Sequence, residues 1–246
     1  MARAAVLGRL SWQVGAVDGV HDETPRVRTI VLDVPGWPGH RAGQHLDVRL
    51  TAEDGYRAER AYSIASAPGE PVAISVERLD DGEVSPYLTE ELRPGDELEL
   101  RGPIGRYFVW DPDDGGPLLL VAGGSGVVPL RAMLRHRRRA DGDVPVRLVY
   151  SSRTLADVIY RDELGDGGDG VEVVHTLTRE RPDGWEGRVG RVDAGLLADV
   201  AWPAGQDPLA FVCGPTGFVE AVAGALVELG YPPARVKTER FGATGR

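Results

Sequence analysis

Cysteine, lysine and long apolar runs are scarce in this chain of 246 residues. Cys213 is the only cysteine, which excludes an internal disulfide and an iron–sulfur cluster with four cysteine ligands from this chain. The five histidines are scattered, so we expect no metal site. No apolar run approaches the roughly 20 residues of a membrane helix, and the N-terminus lacks a signal-peptide pattern. We therefore expect a cytoplasmic protein without a membrane partner.

The charge balance is acidic, with a formal net charge of −10. This argues against nucleic-acid binding, which needs a basic face. Lys237 is the only lysine, so almost every positive charge is an arginine, a residue that can bind a phosphate through two parallel hydrogen bonds. The length suits one large domain or two of ordinary size.

The first part of the chain, residues 1–113, is predicted to be a small antiparallel β-barrel. Short β-branched or alternating runs are separated by turn signals such as Pro35-Gly36 and Pro94-Gly95. Closely spaced strands of this kind favour a barrel. The predicted strands are Arg9–Ala16, Val27–Val34, His45–Leu50, Arg60–Ser66, Pro71–Arg78 and Glu97–Arg101. One helix is predicted over Tyr87–Leu92, after a capping serine and a first-turn proline.

The polar segment Asp111–Pro117 marks a boundary, and residues 114–246 alternate between strand and helix patterns. Such alternation predicts an α/β domain with a parallel sheet covered on both faces. The predicted strands are Leu118–Ala122, Val146–Tyr150, Val171–Thr176, Leu209–Cys213 and Val236–Glu239. The predicted helices are Val127–Arg139, Val158–Leu164, Ala194–Asp199 and Gly217–Leu229.

The stretch LLLVAGGSGVVP, from Leu118 to Pro129, carries a candidate phosphate-binding turn. Its apolar run is typical of a strand buried on both faces of a parallel sheet. The backbone N–H groups of Gly123, Gly124, Ser125 and Gly126 can approach a ligand, ahead of a helix N-terminus that favours negative charge. The spacing is not the GxGxxG fingerprint, so the turn alone fits a strand–helix connection without a ligand equally well.

Two segments of the predicted barrel also suit an anion. Arg60 and Tyr62, in the RAYS sequence Arg60-Ala61-Tyr62-Ser63, alternate onto one strand face and offer a charge and a ring. In the turn Gly82-Glu83-Val84-Ser85, backbone N–H groups and a hydroxyl precede a helix and form a second anion site.

These motifs together resemble the ferredoxin–NADP reductase family. The shared features, in chain order, are RAYS, the turn GEVS, Gly102-Pro103-Ile104-Gly105 with Tyr107-Phe108, the glycine turn GGSGVVP, and Cys213-Gly214-Pro215. Their order and spacing match along nearly the whole chain, from about residue 10 to 242. The resemblance implies a flavin-binding barrel followed by a nicotinamide-nucleotide domain.

The resemblance also implies roles for individual residues. Arg60 would pair with the FAD pyrophosphate, Tyr62 would lie against the flavin ring beside Ala61, and Ser63 would approach flavin N5 as a catalytic residue. The rest of the implied FAD site comprises the backbone of Val76 and Arg78 at the ring edge, the turn residues Gly82, Val84 and Ser85, and the near-terminal aromatic Phe241. On the nucleotide side, Gly123–Gly126, Cys213, Gly214 and Pro215 would hold the nicotinamide nucleotide, with Cys213 and Glu239 as catalytic residues near the nicotinamide.

The choice between NADPH and NADH depends on arginines, because the 2′-phosphate of NADPH calls for arginine and hydroxyl groups. The candidates are Ser152-Arg153, Thr178-Arg179 and Arg191. Thr178-Arg179 resembles the family's Ser-Arg phosphate pair. We expect NADPH, with NADH as the alternative.

The resemblance implies an FAD-dependent NAD(P)H reductase that takes hydride onto flavin N5 and passes electrons to a separate acceptor, such as ferredoxin or an oxygenase component. Two alternatives stay open, a reductase of free flavin or ferric chelates and a flavin-binding regulatory subunit without catalysis. The arginines of the helix after the glycine turn could steer an acidic partner, or could form a solvated helix face; they are Arg131, Arg135, Arg137, Arg138 and Arg139.

Overall fold

The computed structural model describes residues 10–140, 143–165, 167–168 and 170–242. Its first half is a six-stranded antiparallel sheet with the strand order β4-β3-β6-β1-β2-β5. A bridge from Ile64, directly after β4, to Ile74 in the middle of β5 closes the sheet into a barrel. The strands are β1 Gln13–Thr24, β2 Val27–Asp33, β3 His45–Thr51, β4 Arg57–Ser63, β5 Val72–Glu77 and β6 Glu97–Ile104.

The first strand differs from its prediction. The pattern indicated Arg9–Ala16, but β1 runs over Gln13–Thr24, and Arg9 lies outside the described residues. The start of β1 pairs with β6, and the remainder pairs with β2 as far as Thr24. Partner strands therefore keep the polar segment after Ala16 extended, which local sequence pattern does not reveal.

The second half is built on parallel strands in the order β11-β10-β8-β7-β12-β13. The elements are β7 Leu118–Gly123, α1 Val127–Arg139, β8 Val146–Ser152, α2 Arg161–Leu164, β9 Gly167–Gly168, β10 Val171–Leu177, β11 Arg188–Val189, α3 Ala194–Val200, β12 Leu209–Pro215, α4 Thr216–Glu228 and β13 Val236–Phe241. The short β9 pairs antiparallel with β10. Helices cover both faces of a buried β7, so the predicted fold class is confirmed.

The helix α2 is shorter than the predicted Val158–Leu164. Tyr160, directly before it, has a left-handed backbone with φ of 58°. Val158 is extended, and the N–H of Ile159 donates to the Tyr150 hydroxyl at 3.1 Å. These constraints leave helical geometry only for Arg161–Leu164.

One apolar core continues from the barrel into the nucleotide half. Ala65 and Ala73 of the barrel pack in the same cluster as Val128 and Leu130 of α1. We call this contact between the two halves the seam. Because the seam is packed like an interior, the two halves are held at one fixed relative position.

Arg131 and Arg135 of α1 form part of the seam, which corrects both interpretations for these two residues, whereas Arg138 and Arg139 are exposed. Arg131 and Arg137 are buried. Arg131 pairs with Glu163, and Arg135 bridges Glu163 at 2.7 Å and the barrel residue Glu70 at 3.0 Å. The interpretations failed because helix periodicity does not show which neighbouring element supplies opposite charge.

Candidate active site

Arg60 and the turn 82–85 meet at the mouth of the barrel. Arg60 is half-exposed on β4, and its guanidinium pairs with Glu83 of the turn at 2.5 Å. The Tyr56 hydroxyl donates to the same carboxylate at 2.7 Å. These hydrogen bonds, first from Tyr56 and then from Arg60, lower the pKa of Glu83. The structure thus brings together two candidate anion-binding segments that lie apart in the sequence.

Tyr62 and Ser63 end β4 beside Arg60. Tyr62 packs on the barrel core, and burial raises the pKa of its hydroxyl. Ser63 is half-buried and lies opposite His45 on β3, whereas Ala61 is exposed. The strand therefore presents a charge, a ring and a hydroxyl in succession, as its alternation predicts.

The hydroxyl of Ser85 makes a hydrogen bond inside its own loop, and its contribution to an anion site stays a prediction. It accepts a hydrogen bond from the N–H of Leu79 at 3.0 Å and is buried. A Cβ on Gly82 would lie 2.8 Å from this hydroxyl, and Val84 is buried in the barrel core. Gly82 and Val84 therefore shape the turn through packing, and the backbone groups of the turn and the O–H of Ser85 remain candidate donors to an anion.

Along β5, the backbone groups that are not paired with β2 are those of Ser75 and Glu77. This corrects the expectation that the backbone of Val76 and Arg78 lines the flavin ring. The N–H of Arg78 donates to the carbonyl of Arg26, so these two residues form a hydrogen-bonded pair. Such pairs alternate along an antiparallel ladder, which assigns the backbone groups of Val76 to its partner Arg28. The alternate residues Ser75 and Glu77 turn their backbone groups away from β2, toward the barrel mouth.

Glycine is required at different positions of the candidate phosphate turn for different structural reasons. A Cβ on Gly126 would lie 2.1 Å from the carbonyl oxygen of Cys213, and one on Gly123 would lie 3.0 Å from the ring of Phe218. Both positions are buried against backbone or ring. Gly124 instead has a φ of +56° and no heavy atom within 4 Å of a built Cβ. Gly124 and the half-buried Ser125 are therefore the part of the turn that a ligand can reach.

Ser125 also joins the nucleotide half to the barrel. Its hydroxyl donates to Oε2 of Glu77 on β5 at 2.7 Å. Glu77 was not among the residues that the sequence motifs indicated, although it follows Val76 directly. The bond places the glycine turn against the same strand whose open backbone edge faces the barrel mouth.

Cys213 and Glu239 lie opposite each other on the neighbouring parallel strands β12 and β13. Cys213 is buried, and desolvation, followed by the charge of Glu239, raises the pKa of its thiol well above the usual value. Burial raises the pKa of Glu239 to about 7. Its Oε2 atom is buried and has no hydrogen-bond partner among the described residues. This pair can hold a proton near neutral pH beside the glycine turn.

Gly214 and Pro215 continue from Cys213 along the same edge. A Cβ on Gly214 would lie 2.7 Å from the Phe218 ring and 3.3 Å from Cα of Gly123, so the two glycine backbones pack together. Pro215 is exposed and lies opposite Phe241. Phe241 is partly buried and packs against the apolar core that continues across the seam. The contact of Phe241 with a flavin stays a prediction.

Two of the three candidates for the 2′-phosphate are adjacent in the structure. The N–H of Thr178 donates to the carbonyl of Ser152 at 3.0 Å, and that of Arg179 donates to the carbonyl of Arg153 at 2.9 Å. Ser152 is buried, whereas Arg153, Thr178 and Arg179 are exposed at the carboxyl ends of β8 and β10.

Arg191, the third candidate, follows β11 at the same edge. Its neighbour Gly190 donates to the carbonyl of Leu177, at the end of β10. Arg191 is exposed. The carboxyl edge of three adjacent strands therefore carries exposed arginines.

The donor set fits a dinucleotide rather than a metal ion. Gly124 leaves open space, and the unpartnered carboxylate oxygen of Glu239 marks a buried polar position opposite Cys213. Within the described residues, no three His, Cys, Asp or Glu side chains are grouped closely enough to hold a metal. Where the chain is described, no helix is long and apolar enough to cross a membrane.

Known protein families and solved structures match both halves of the chain. Residues 21–109 match the oxidoreductase FAD-binding domain, and residues 120–224 match the oxidoreductase NAD-binding domain. The structure resembles the FAD/NAD-binding domain of nitric oxide dioxygenase from Vibrio cholerae, with a TM-score of 0.83, 26% identity, and coverage of 94% of this chain and 98% of that one. It has the fold of a ferredoxin NADP+ reductase from Neisseria gonorrhoeae, with a TM-score of 0.81, 20% identity, and coverage of 93% and 98%.

Two curated relatives are similar over most of this chain. Ferredoxin–NADP reductase B of Sorangium cellulosum is 40% identical over 81% of this chain and 84% of its own length. The glycine betaine monooxygenase reductase subunit of Chromohalobacter salexigens is 34% identical over 92% of this chain. The match spans 63% of that longer protein. The barrel, the nucleotide-binding half and these matches together show that the chain belongs to the ferredoxin–NADP reductase family of FAD-dependent NAD(P)H oxidoreductases.

Proposed function

We propose that this protein takes electrons from NADPH as hydride onto FAD N5 and passes them to a separate acceptor. The two candidate half-sites are the barrel residues proposed for FAD and the glycine turn proposed for the nicotinamide nucleotide. The proposal rests on their contact at the seam. There the glycine turn contacts β5 through Ser125 and Glu77, and Cys213 lies behind the turn. We place the division between the FAD-binding and nucleotide-binding domains at residues 113 and 114.

FAD supplies a centre that exchanges electrons either in pairs or singly, and the chain binds and orients it. In this proposal Arg60 and the backbone of residues 82–85 hold the pyrophosphate, and Tyr62 supports the ring. Ser63 and the open edge of β5 orient its polar atoms. Gly124 and Ser125 bind the nicotinamide nucleotide, and the packed seam excludes water.

The pair Cys213 and Glu239 would set the environment of the nicotinamide. Cys213, as a neutral buried thiol, fills space beside the turn, because burial holds its pKa high. Glu239 can hold a proton on its carboxyl up to about pH 7. These properties support a packing and positioning role for Cys213 and exclude a thiolate nucleophile at neutral pH.

NADPH is the proposed donor, because exposed Arg153 and Arg179 lie side by side next to the hydroxyl of Thr178. Arginine and hydroxyl groups suit a phosphate. The name of the Sorangium relative refers to NADP, whereas an Escherichia coli relative of 34% identity is named NADH oxidoreductase HCR. NADH is therefore the second donor to test.

A ferredoxin or an oxygenase component is the proposed acceptor. The curated relatives include reductase components of glycine betaine, propane and ketosteroid monooxygenases. We propose a cytoplasmic location for such a system.

The test is an acceptor screen with the FAD-loaded protein and NADPH. Ferredoxins and oxygenase components are compared with free flavin and ferric chelates at equal concentration. We expect the highest kcat/KM with a protein acceptor. Higher values with flavin or chelates would support a small-molecule reductase, and no turnover with any acceptor would support a regulatory flavoprotein.

A further inference from the structure

The outer face of β5 bonds the nucleotide half at two points. Along β5, Val72, Ile74 and Val76 point into the barrel core, and the alternate residues face the seam. Ser75 accepts a hydrogen bond from the Tyr160 hydroxyl, and Glu77 accepts one from Ser125 at 2.7 Å. The two anchors are two residues apart on one strand, about 7 Å.

Tyr160 is held firmly in place for this contact. Its left-handed backbone, with φ of 58°, is uncommon for a residue other than glycine. The Arg131 guanidinium lies 4.1 Å from the centre of its ring, and Arg131 is in turn paired with Glu163. Because both its backbone and its ring are fixed, Tyr160 holds its hydroxyl at a defined position for the contact with Ser75.

Ser75 is equally well fixed on the barrel side. Its hydroxyl lies 2.7 Å from that of Thr29 on β2, and Thr29 donates to Glu23 at 2.7 Å. This chain of hydrogen bonds connects Tyr160 with the first two barrel strands. The contact is buried, so its hydrogen bonds are not exchanged freely with water.

The same strand serves both cofactor sites. The backbone groups of Ser75 and Glu77 face the barrel mouth, where the flavin ring is proposed to bind, and their side chains hold the nucleotide half. The apolar seam and the Arg135–Glu70 pair hold the two halves together, and the two anchors on β5 fix the local position of the glycine turn against this strand. A displacement of the nicotinamide by about 1 Å can cost about a hundredfold in rate.

We propose that Ser75 and Glu77 are positioning residues that set the nicotinamide turn against the flavin, through Tyr160 and Ser125. The inference rests on the proposed function for its kinetic consequence. It assigns no contact with reacting atoms to the side chains of either residue. Its structural part, the alignment of the turn, is measured without turnover.

The kinetic test compares Glu77→Ala, Glu77→Gln and Tyr160→Phe in the FAD-loaded full chain. Tyr160→Phe removes only the hydroxyl, and the amide oxygen of Glu77→Gln can still accept from Ser125. Anaerobic stopped-flow mixing with NADPH gives the limiting rate of flavin reduction, and titration with oxidised NADP+ gives the Kd. The control Glu172→Ala removes a carboxylate that pairs with Arg147 inside the nucleotide half.

We expect Glu77→Ala and Tyr160→Phe to lower the limiting rate about tenfold or more, with Kd within about twofold of wild type. Glu77→Gln should recover most of the rate, and Glu172→Ala should leave it unchanged. Rates within twofold of wild type in both variants would overturn the inference. A rate loss that follows a matching loss of affinity would overturn it as well.

Amide hydrogen exchange of the FAD-loaded protein without nucleotide supplies the second readout. We expect faster exchange over residues 123–127 in Glu77→Ala, and wild-type exchange in Glu77→Gln and Glu172→Ala. Unchanged exchange in Glu77→Ala would overturn the alignment. If wild-type protein is reduced by neither nucleotide, the proposed function fails, and this exchange comparison still decides whether Glu77 aligns the turn.

Discussion

The backbone of Gly126 lies directly against that of Cys213: a Cβ on Gly126 would be 2.1 Å from the Cys213 carbonyl oxygen and 2.8 Å from the N atom of Gly214. The turn after β7 can therefore approach β12 only because residue 126 has no side chain. This contact sets how close the glycine turn lies to the strand that carries Cys213. Substitution of Gly126 should therefore reduce the stability of the protein more than substitution of Gly124 in the same turn.

Gly126→Ala should destabilise the protein by at least about 3 kcal/mol, because the new Cβ meets backbone that cannot move aside cheaply. Gly124→Ala should cost only about 1 kcal/mol, since its φ of +56° disfavours a side chain but open space surrounds it. Urea unfolding of both FAD-loaded variants measures the difference. Equal losses would contradict the packing role of Gly126.

Glu239 should make stability depend on pH. Its folded-state pKa is raised from 4.5 to about 7 by burial, so the folded protein retains a proton that the unfolded chain releases. The contribution is present below pH 4.5 and is lost as pH rises to about 7, by up to about 3 kcal/mol. The unfolding free energy of wild type relative to Glu239→Gln should therefore fall between pH 5 and 7 and level off above. A difference that rises with pH would refute the buried protonated carboxyl.

Cys213 should be inert to thiol reagents in the folded protein. Burial removes access and keeps the thiol protonated at neutral pH. A chromogenic disulfide reagent should label less than about a tenth of the protein in an hour at pH 7.5, and one equivalent after denaturation. Because Cys213 is the only cysteine, the measurement needs no background variant. Rapid stoichiometric labelling of the native protein would disprove this assignment.

Arg60→Ala should weaken FAD binding about tenfold or more, through loss of a charge-assisted hydrogen bond to phosphate. Flavin content after desalting and fluorescence titration measure the change. Arg57→Ala, which removes an exposed arginine from the same strand, is the control and should retain FAD. Full flavin retention by Arg60→Ala would remove the pyrophosphate role.

Arg179→Ala should raise the KM for NADPH about tenfold or more and change that for NADH less than about twofold. The guanidinium would contact the 2′-phosphate, which NADH lacks. The exposed Arg181, two residues further on, supplies the control Arg181→Ala. Parallel changes for both nucleotides would show that Arg179 does not read the phosphate.

The local sequence pattern was sufficient to predict the structural features that depend on short segments of the chain. The apolar run of β7 and the glycines after it predicted a buried strand and a turn, because parallel-strand burial and glycine geometry are local properties. The fold class followed from the change between closely spaced strands and strand–helix alternation. The adjacency of Arg153 and Arg179 was not evident, although both were identified, because it depends on the pairing of β8 with β10.

The sequence-based predictions were wrong where tertiary contacts determine the environment of a side chain. Arg131 and Arg135 have the spacing of an exposed basic face, but Glu163 of α2 pairs with both, and Glu70 lies across the seam from Arg135. The non-core face of β5 reads Ala73, Ser75, Glu77. Small and polar side chains on that face are equally typical of a solvated face, so only the tertiary contact with Ser125 distinguishes Glu77.

Hydride transfer between the two sites is tested most directly by anaerobic mixing of the FAD-loaded protein with NADPH or NADH, followed through the flavin absorbance. NADPH should bleach the flavin in a single turnover, with a higher ratio of limiting rate to Kd than NADH. Retention of the oxidised flavin spectrum with both nucleotides would contradict the central claim that the two half-sites meet for hydride transfer.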